Sequence, residues 1–153
     1  DIFSIQNQTE FEQMTLTVFR HQADNVSIYR DFVRLMNVDP QKVGSIREIP
    51  FLPIRFFKQY EIIENGKKAE KIFSSSGTTG MTTSQHLVAD LELYHHSLSK
   101  CFEYFYGDLN DYSIFALLPS YLERSGSSLI DMVEYWHQKS DQNFGGFYLY
   151  NQF

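Results

Sequence analysis

Small polar residues and two glycines make up most of the stretch Phe73-Ser74-Ser75-Ser76-Gly77-Thr78-Thr79-Gly80-Met81-Thr82-Thr83-Ser84. The two glycines allow left-handed backbone conformations, so that successive N–H groups can turn inward around an anion. The hydroxyl groups supply further hydrogen-bond donors to the same anion. The stretch therefore predicts a loop that holds a phosphate chain. A plain, solvated Ser/Thr/Gly linker is the alternative that composition alone leaves open.

Two common nucleotide motifs do not occur in this stretch. The Walker motif G-x-x-x-x-G-K-[ST] needs wider glycine spacing and a lysine, whereas Gly77 and Gly80 are three positions apart and no lysine follows them. The dinucleotide motif G-x-G-x-x-G does not fit either. The sequence thus argues against a P-loop NTPase and gives no support for a Rossmann dinucleotide site.

The residues on both sides of the loop predict β-strands. Before it, segments 61–64 and 67–73 are separated by Asn65-Gly66, a pair that favours the tight turn of a β-hairpin. The lysines of the second arm, among them Lys71, are expected on its solvated face. After the loop, 85–88 predicts another strand. Strands on both sides would give a phosphate loop fixed ends.

The rest of the chain predicts an α/β fold: N-terminal helices, then a β-hairpin, then alternating strands and helices. A capping box at Thr9 starts the first helix, and Asn37 is expected to end the second. After the loop, helices and strands are predicted to alternate over 91–106, 112–118, 127–137 and 146–150. The alternation favours parallel pairing for some strands. We divide the chain into a helical lead-in, 1–60, and an α/β portion, 61–153, of one incomplete domain.

The helix predicted over 91–106 also contains the residues that could suggest a metal site. Its apolar stripe is expected to comprise Leu91, Tyr94, Leu98, Cys101 and Phe105. On this prediction the Cys101 thiol is buried and Tyr104 is exposed. Neither His95 nor His96 shares a helix face with Cys101, and zinc-ligand spacing is absent. We therefore expect partly exposed histidines and no metal site.

A second candidate site lies between a predicted strand and a predicted helix. Leu117 to Ser128 is rich in serine and contains one glycine, and its end would place backbone amides at a helix N-terminus. Such amides suit a carboxylate or a phosphate. The candidate substrate-binding residues are Ser120, Ser125, Gly126 and Ser127. The alternative is a connecting loop in which Ser127 only caps the helix.

Composition indicates a globular chain that does not bind nucleic acid. It has 153 residues, 42% of them apolar, which suffices for a core. The formal net charge is −6, and the 13 Lys and Arg residues are scattered, so no basic stripe is available for phosphate backbones. No apolar run reaches the length of a membrane span.

The remaining expectations concern location and assembly. Cys101 is the single cysteine, which excludes an internal disulfide and suits a cytoplasmic protein. The segment after Asp1 lacks the basic and apolar regions of a signal peptide. Phe153 ends the sequence within a predicted strand, so we expect the native chain to continue. A strand edge left unpaired there would allow a homo-oligomer.

The segment Ser75-Ser76-Gly77-Thr78-Thr79-Gly80 resembles the phosphate loop [ST]-S-G-[ST]-T-G of the adenylate-forming superfamily. Upstream, Tyr29-Arg30 and Ile49-Pro50-Phe51-Leu52-Pro53-Ile54 resemble the lead-in of phenylacetate-CoA ligases and of the acyl-protein synthetases of bacterial bioluminescence. The hexapeptide is the more specific of these similarities. Together they cover most of this chain but only the front of such an enzyme, so the resemblance implies the N-terminal part of the large domain.

The resemblance implies the following activity and ligands. ATP with Mg²⁺ would activate a carboxylic acid, fatty or aryl, as an acyl-AMP, and the acyl group would pass to coenzyme A or to a protein thiol. The implied nucleotide-binding residues are Ser74, Ser75, Ser76, Gly77, Thr78, Thr79, Gly80 and Thr82. No catalytic residue is implied here, and these 153 residues alone are expected to show little catalysis.

One departure from the family pattern keeps a second function open. Where the family has a proline and often a lysine after the last glycine, this chain has Met81-Thr82-Thr83. The alternative is therefore a non-catalytic nucleotide- or partner-binding module that retains the loop. Cys101 does not take the role of an acyl-accepting cysteine, because in acyl-protein synthetases that residue lies near the far C-terminus.

Overall fold

The computed structural model describes residues 2–75, 83–118, 126–141 and 143–148. Within these ranges the fold is mixed α/β, as predicted, and no helix is long and apolar enough to cross a membrane. The helices are α1 (Gln8–Asn25), α2 (Ser27–Leu35), α3 (Leu91–Tyr106) and α4 (Ser128–Lys139). The strands are β1 (Lys71–Ser74), β2 (Gln85–Val88), β3 (Phe115–Ala116) and β4 (Gly146–Phe147). Short 3₁₀ helices occur at Ile2–Ser4, Ile46–Glu48, Ile54–Lys58 and Leu109–Asp111.

The first two helices follow the prediction except at the start of α1. Asn7 is the N-cap instead of Thr9, because its Oδ1 accepts a 3.0 Å hydrogen bond from the Glu10 amide. The second helix ends at Leu35, and Asn37 has a φ of 55°, the left-handed conformation expected of a stop residue. The two helices pack against each other around a core comprising Phe19, Ala23, Val33, Val43 and Ile49.

The hairpin predicted around Asn65-Gly66 is wrong. The turn itself forms, with Gly66 at a φ of 78° and the Lys67 amide bonded to the Glu64 carbonyl at 3.0 Å, but 61–64 is not a strand. The Asn65 amide instead donates to the Asn25 carbonyl, at 2.8 Å, which attaches the turn to the end of α1. An antiparallel strand pair forms further along the chain, between β1 and β2.

The limits of α3 are confirmed, but its predicted buried face is only partly correct: Leu91, Tyr94 and Leu98 are half-buried, whereas the end of the stripe is wrong. Asp90 caps the helix by accepting a 2.7 Å hydrogen bond from the Leu93 amide, and Gly107 ends it at a φ of 91°. Phe102 is the buried aromatic residue, whereas Phe105 is 69% exposed and Cys101 is also exposed. In the last turns of the helix, Phe102 replaces Cys101 and Phe105 on the buried face, because its ring packs against Tyr112 and Trp136.

The last part of the fold confirms a strand–helix–strand unit with parallel pairing. Strand β3 pairs parallel with β4, and α4 lies between them in sequence. Strand β3, at Phe115–Ala116, is shorter than the strand predicted over 112–118. Ser127 caps α4, as predicted, through a 3.4 Å hydrogen bond from the Ile130 amide to its Oγ.

Candidate functional site

The two ends of the predicted phosphate loop are held side by side. The Ser75 amide donates to the Ser84 carbonyl at 3.0 Å, and the Ser84 amide donates to Ser75 Oγ at 3.0 Å. These bonds continue the β1–β2 ladder, in which Ser74 is opposite Gln85. The Ser/Gly/Thr stretch therefore leaves from one strand and returns to its antiparallel neighbour. The strand predicted over 85–88 is confirmed, and the one predicted over 67–73 is shorter, at Lys71–Ser74.

The same strand end also contacts the second candidate segment. The Ser74 amide donates a 2.8 Å hydrogen bond to the carbonyl oxygen of Gly126. Gly126 has a φ of 85°, a left-handed conformation that residues with a side chain rarely adopt. Ser127 and Ser128 follow at the N-terminus of α4. The two candidate sites are therefore neighbours at their described ends.

Several predicted site residues cannot be placed in this geometry. Of the twelve candidate residues, the structure describes Ser74, Ser75, Gly126 and Ser127. The others lie outside the described residues: Ser76, Gly77, Thr78, Thr79, Gly80, Thr82, Ser120 and Ser125. The described part of the candidate site comprises the two loop ends and the groups around them.

A cavity of about 530 Å³ opens at the loop ends. This volume is within the range of about 300–1,000 Å³ that is usual for small-molecule sites. Its described lining residues are Ile54, Phe57, Phe73, Ser74, Ser75, Ser84, Gln85, His86, Tyr94 and Ser128. None of them is acidic, so the described wall does not repel an anion. The lining thus combines four serines, from the loop ends and the start of α4, with aromatic side chains.

The aromatic wall is ordered by ring contacts between elements. The Phe57 ring, from the 3₁₀ helix Ile54–Lys58, stacks on the His86 ring of β2 at 6.0 Å and an interplanar angle of 17°. The Phe73 ring of β1 packs against the Tyr94 ring of α3 at 5.2 Å, and Phe73 is only 4% exposed. The wall is thus fixed by the lead-in segment, the β1–β2 pair and α3.

Behind this wall is a group of largely buried ionisable side chains that the sequence did not predict. Asp131 of α4 is 6% exposed, and its two carboxylate oxygens pair with Lys71 of β1 and His95 of α3. The distance from His95 Nε2 to Asp131 Oδ2 is 3.1 Å. We call these three residues the Asp131 cluster. The prediction that Lys71 lies on a solvated face is wrong, because its side chain is only 19% exposed.

One signal in the sequence could have indicated this cluster. Lys71 and Phe73 are two residues apart on one strand, so they point to the same face, and Phe73 is apolar enough to mark that face as inward. No comparable local signal identifies Asp131, which is 60 positions from Lys71. Pairing over that separation depends on the tertiary fold.

The cluster alters the titration of a residue in the cavity wall. Burial raises the pKa of Tyr94 above its ordinary value of 10.0, and the negative charge of Asp131 raises it further. The Tyr94 hydroxyl is therefore neutral over the physiological pH range. It can donate or accept a hydrogen bond to a ligand, but it offers no charge.

The described groups suit the phosphates of a nucleotide. Serine hydroxyls can donate to phosphate oxygens, and a hydroxyl that accepts one bond, as Ser75 does, still has its own hydrogen to donate. Ser127 and Ser128 place the amide end of α4 beside them. Mg²⁺ at such sites is bound largely through phosphate oxygens and water. In the ranges that the structure covers, no three His, Cys, Asp or Glu side chains are grouped to hold a metal ion.

Comparison of the chain with protein-family models, with curated proteins and with solved structures found no match in any of the three.

Proposed function

We propose that this chain is the N-terminal part of the large domain of an ATP-dependent acid–thiol ligase of the adenylate-forming type. The enzyme would activate a carboxylic acid, fatty or aryl, as an acyl-AMP and transfer the acyl group to coenzyme A or to an acyl-accepting protein. Its location would be the cytoplasm. The proposal rests on the loop motif together with the geometry of the loop ends.

The observation that supports it most is the contact between Ser74 and Gly126. Two segments that the sequence nominated separately as anion sites are joined there by a backbone hydrogen bond of 2.8 Å. A flexible linker would not need antiparallel strands at both ends and a bonded neighbour beside them. A loop that must hold several phosphate oxygens at once does need such fixed ends.

The residues of this chain would bind and orient rather than react. Loop amides and hydroxyls would hold the outer phosphates, so that charge developing on the departing pyrophosphate is offset by donors already in place. ATP with Mg²⁺, when bound, supplies the phosphorus centre that the carboxylate attacks. The aromatic wall with Phe57 and Phe73 would keep water from one side of the bound ligand.

A second candidate function is a nucleotide-binding module without catalysis. The feature that favours it is Met81-Thr82-Thr83, which replaces the proline and lysine of the family pattern. Amides and hydroxyls alone can hold phosphates, but the lysine's charge would be missing. This alternative predicts binding of MgATP with no acid-dependent chemistry.

Exchange of labelled pyrophosphate into ATP, measured with and without a panel of fatty and aryl acids, tests the proposal directly. We expect acid-dependent exchange from the protein carrying this sequence, and a loss of at least tenfold when Thr78→Ala and Thr79→Ala are combined. Thr17→Ala is the matched control, since that hydroxyl bonds the Gln13 carbonyl on an exposed face of α1. Unchanged exchange in the double variant would refute a phosphate role for the two hydroxyls.

A titration of MgATP by calorimetry separates the two candidate functions. Binding without acid-dependent exchange would favour the non-catalytic module. No binding and no exchange would leave the stretch as a structural loop and reject both.

A further inference from the structure

The Asp131 cluster connects three of the elements that line the candidate site. Lys71 comes from β1, His95 from α3 and Asp131 from α4, and each of the two partners pairs with a different carboxylate oxygen. The His95 ring also stacks on the Tyr135 ring at 4.3 Å and an interplanar angle of 10°. The Tyr135 hydroxyl is 3.0 Å from Ser99 Oγ, which adds a second link between α3 and α4.

The cluster lies close in sequence to both loop ends. Lys71 is three residues before Ser74. Asp131 is the fourth residue of α4, the helix that Ser127 caps. Strand β1 is thus tied to α4 at two points: the ion pair of Lys71 with Asp131, and the hydrogen bond from the Ser74 amide to Gly126. Two points on a short strand fix both its position and its direction.

The charge pair also fixes the register of β1. Lys71 and Phe73 share the inward face, whereas Ile72 and Ser74 are exposed. A slip by one residue would remove Lys71 from Asp131 and leave a buried carboxylate with one partner fewer. Loss of the ammonium partner of a buried carboxylate is unfavourable, so a shifted register is disfavoured. An apolar contact at the same place would tolerate a slip more easily, because Ile72 could take over the contact.

We propose that the Asp131 cluster positions the phosphate loop, by holding the β1 end of the loop against the N-terminus of α4. The inference rests on the proposed function, for which it identifies Asp131 as a positioning residue. Asp131 does not touch the ligand in this arrangement. It acts through Lys71 and β1 on the Ser74–Gly126 contact.

Hydrogen exchange of the Ser74 amide tests the inference without any assay of activity. The exchange rate is measured by mass spectrometry with electron-transfer fragmentation in the wild type and in Asp131→Asn. We expect exchange at Ser74 to become at least tenfold faster, while the Val26 amide, which bonds the Gln22 carbonyl at the end of α1, keeps its rate. Equal acceleration at both amides, or none at Ser74, would overturn the inference.

Two further variants separate positioning from general stabilisation. Glu103→Gln removes the carboxylate of the exposed Lys100–Glu103 pair and is expected to leave Ser74 exchange unchanged. The double variant with Lys71→Met and Asp131→Leu replaces the buried pair by apolar groups, which often restores stability. We expect it to fold without restoring the slow exchange at Ser74. Slow exchange in that variant would show that the charges have no positioning role.

A milder variant covers the case in which Asp131→Asn does not fold. His95→Gln removes one partner and leaves the pair of Lys71 with Asp131. Exchange at Ser74 should then rise by about threefold, a smaller effect because Asp131 loses only its partner on α3 and keeps the pair with Lys71 of β1. No change at Ser74 in this variant would contradict a cluster that acts as a unit.

The link to function is tested by pyrophosphate exchange with the same variants. We expect Asp131→Asn to raise the KM for ATP about tenfold with a smaller effect on kcat, and Glu103→Gln to change neither. If the wild type binds no MgATP, the proposed function fails, but the exchange rate at Ser74 still decides whether the cluster positions the loop. If MgATP binds and Asp131→Asn changes neither Ser74 exchange nor KM, the positioning role fails alone.

Discussion

The Ser74 amide and the Gly126 carbonyl oxygen are 2.8 Å apart, and this hydrogen bond joins the described ends of two loops that are distant in sequence. Ser74 is still opposite Gln85 of β2 at this point, so the end of β1 contacts both β2 and the segment before α4. Gly126 can accept this hydrogen bond because its φ of 85° turns the carbonyl in a way that a residue with a side chain rarely permits. The described ends of the two candidate segments are therefore brought together by a tertiary contact.

Phe102 and Phe105 offer a matched test of which face of α3 is buried. Phe102→Ala should cost about 3–5 kcal/mol of unfolding free energy, because the ring is 8% exposed and packs against Trp136 and Tyr112. Phe105→Ala should cost less than about 1 kcal/mol, since that ring is 69% exposed. Urea unfolding of both variants gives the comparison. Equal costs, or the reverse order, would favour the face that the sequence predicted.

The contrast between the limits and the face of α3 shows what local sequence can determine. Asp90 and Gly107 set the ends through a side-chain cap and a left-handed residue, and both effects act within one turn. The buried face depends instead on what lies opposite, and Trp136 of α4 selects Phe102. Aromatic residues occur on several faces of this helix, so periodicity alone did not distinguish them.

The predicted hairpin shows the same limit of local sequence for strands. Asn65-Gly66 does form a turn, as its residue types predict, but the Asn65 amide bonds the end of α1 instead of opening a ladder. The strand partner of β1 is β2, on the other side of the Ser/Gly/Thr stretch. The residue types of Asn65-Gly66 predict the turn correctly. Packing against α1 determines which segments the turn connects.

Gly145 is required where the chain passes close to β3. A Cβ at this position would lie 2.6 Å from the Ile114 carbonyl oxygen and 3.0 Å from the Ile114 amide nitrogen, closer than real contacts allow. Gly145→Ala should therefore destabilise the protein by about 1–3 kcal/mol, as the backbone must move. Gly44→Ala is the control, because nothing lies within 4 Å of its added Cβ. Thermal unfolding that shows equal effects of both substitutions would contradict the close approach.

Ionisation of Glu48 should make the free energy of unfolding depend on pH below 4.5, the ordinary pKa of a glutamate. The Gly44 amide donates a 2.9 Å hydrogen bond to its Oε2, and this bond is the main cause that lowers the pKa of Glu48 from 4.5. A lowered folded-state pKa means that the stabilisation is present above pH 4.5 and is lost as the pH falls through the folded-state value.

Urea unfolding of the wild type and Glu48→Gln, from about pH 7 down to about pH 3, measures this contribution. The wild type should be the more stable at neutral pH, and the difference between the two proteins should shrink in acid. A difference that stays constant with pH would mean that the Gly44 bond does not favour the charged form of Glu48.

The charge of Asp131 should be visible in the titration of Tyr94. Burial is the larger cause that raises the pKa of Tyr94 from 10.0, and Asp131 adds to it. Asp131→Asn should therefore lower the pKa of Tyr94 without returning it to 10.0. Tyr29 is the internal control, because its raised pKa is due to burial alone and it belongs to the helical core around α1 and α2.

The measurement is an NMR titration with tyrosine labelled with ¹³C at the ring carbon that carries the hydroxyl. The folded-state pKa of Tyr94 is raised above 10.0. The contribution of Tyr94 ionisation to the free energy of unfolding is therefore fully present below pH 10.0 and is lost as the pH rises through the folded-state pKa. Asp131→Asn should shift that loss to lower pH. A fall in the pKa of both tyrosines would indicate general loosening of the fold. A fall confined to Tyr94 would locate the Asp131 charge beside the cavity wall, where the positioning of β1 requires it.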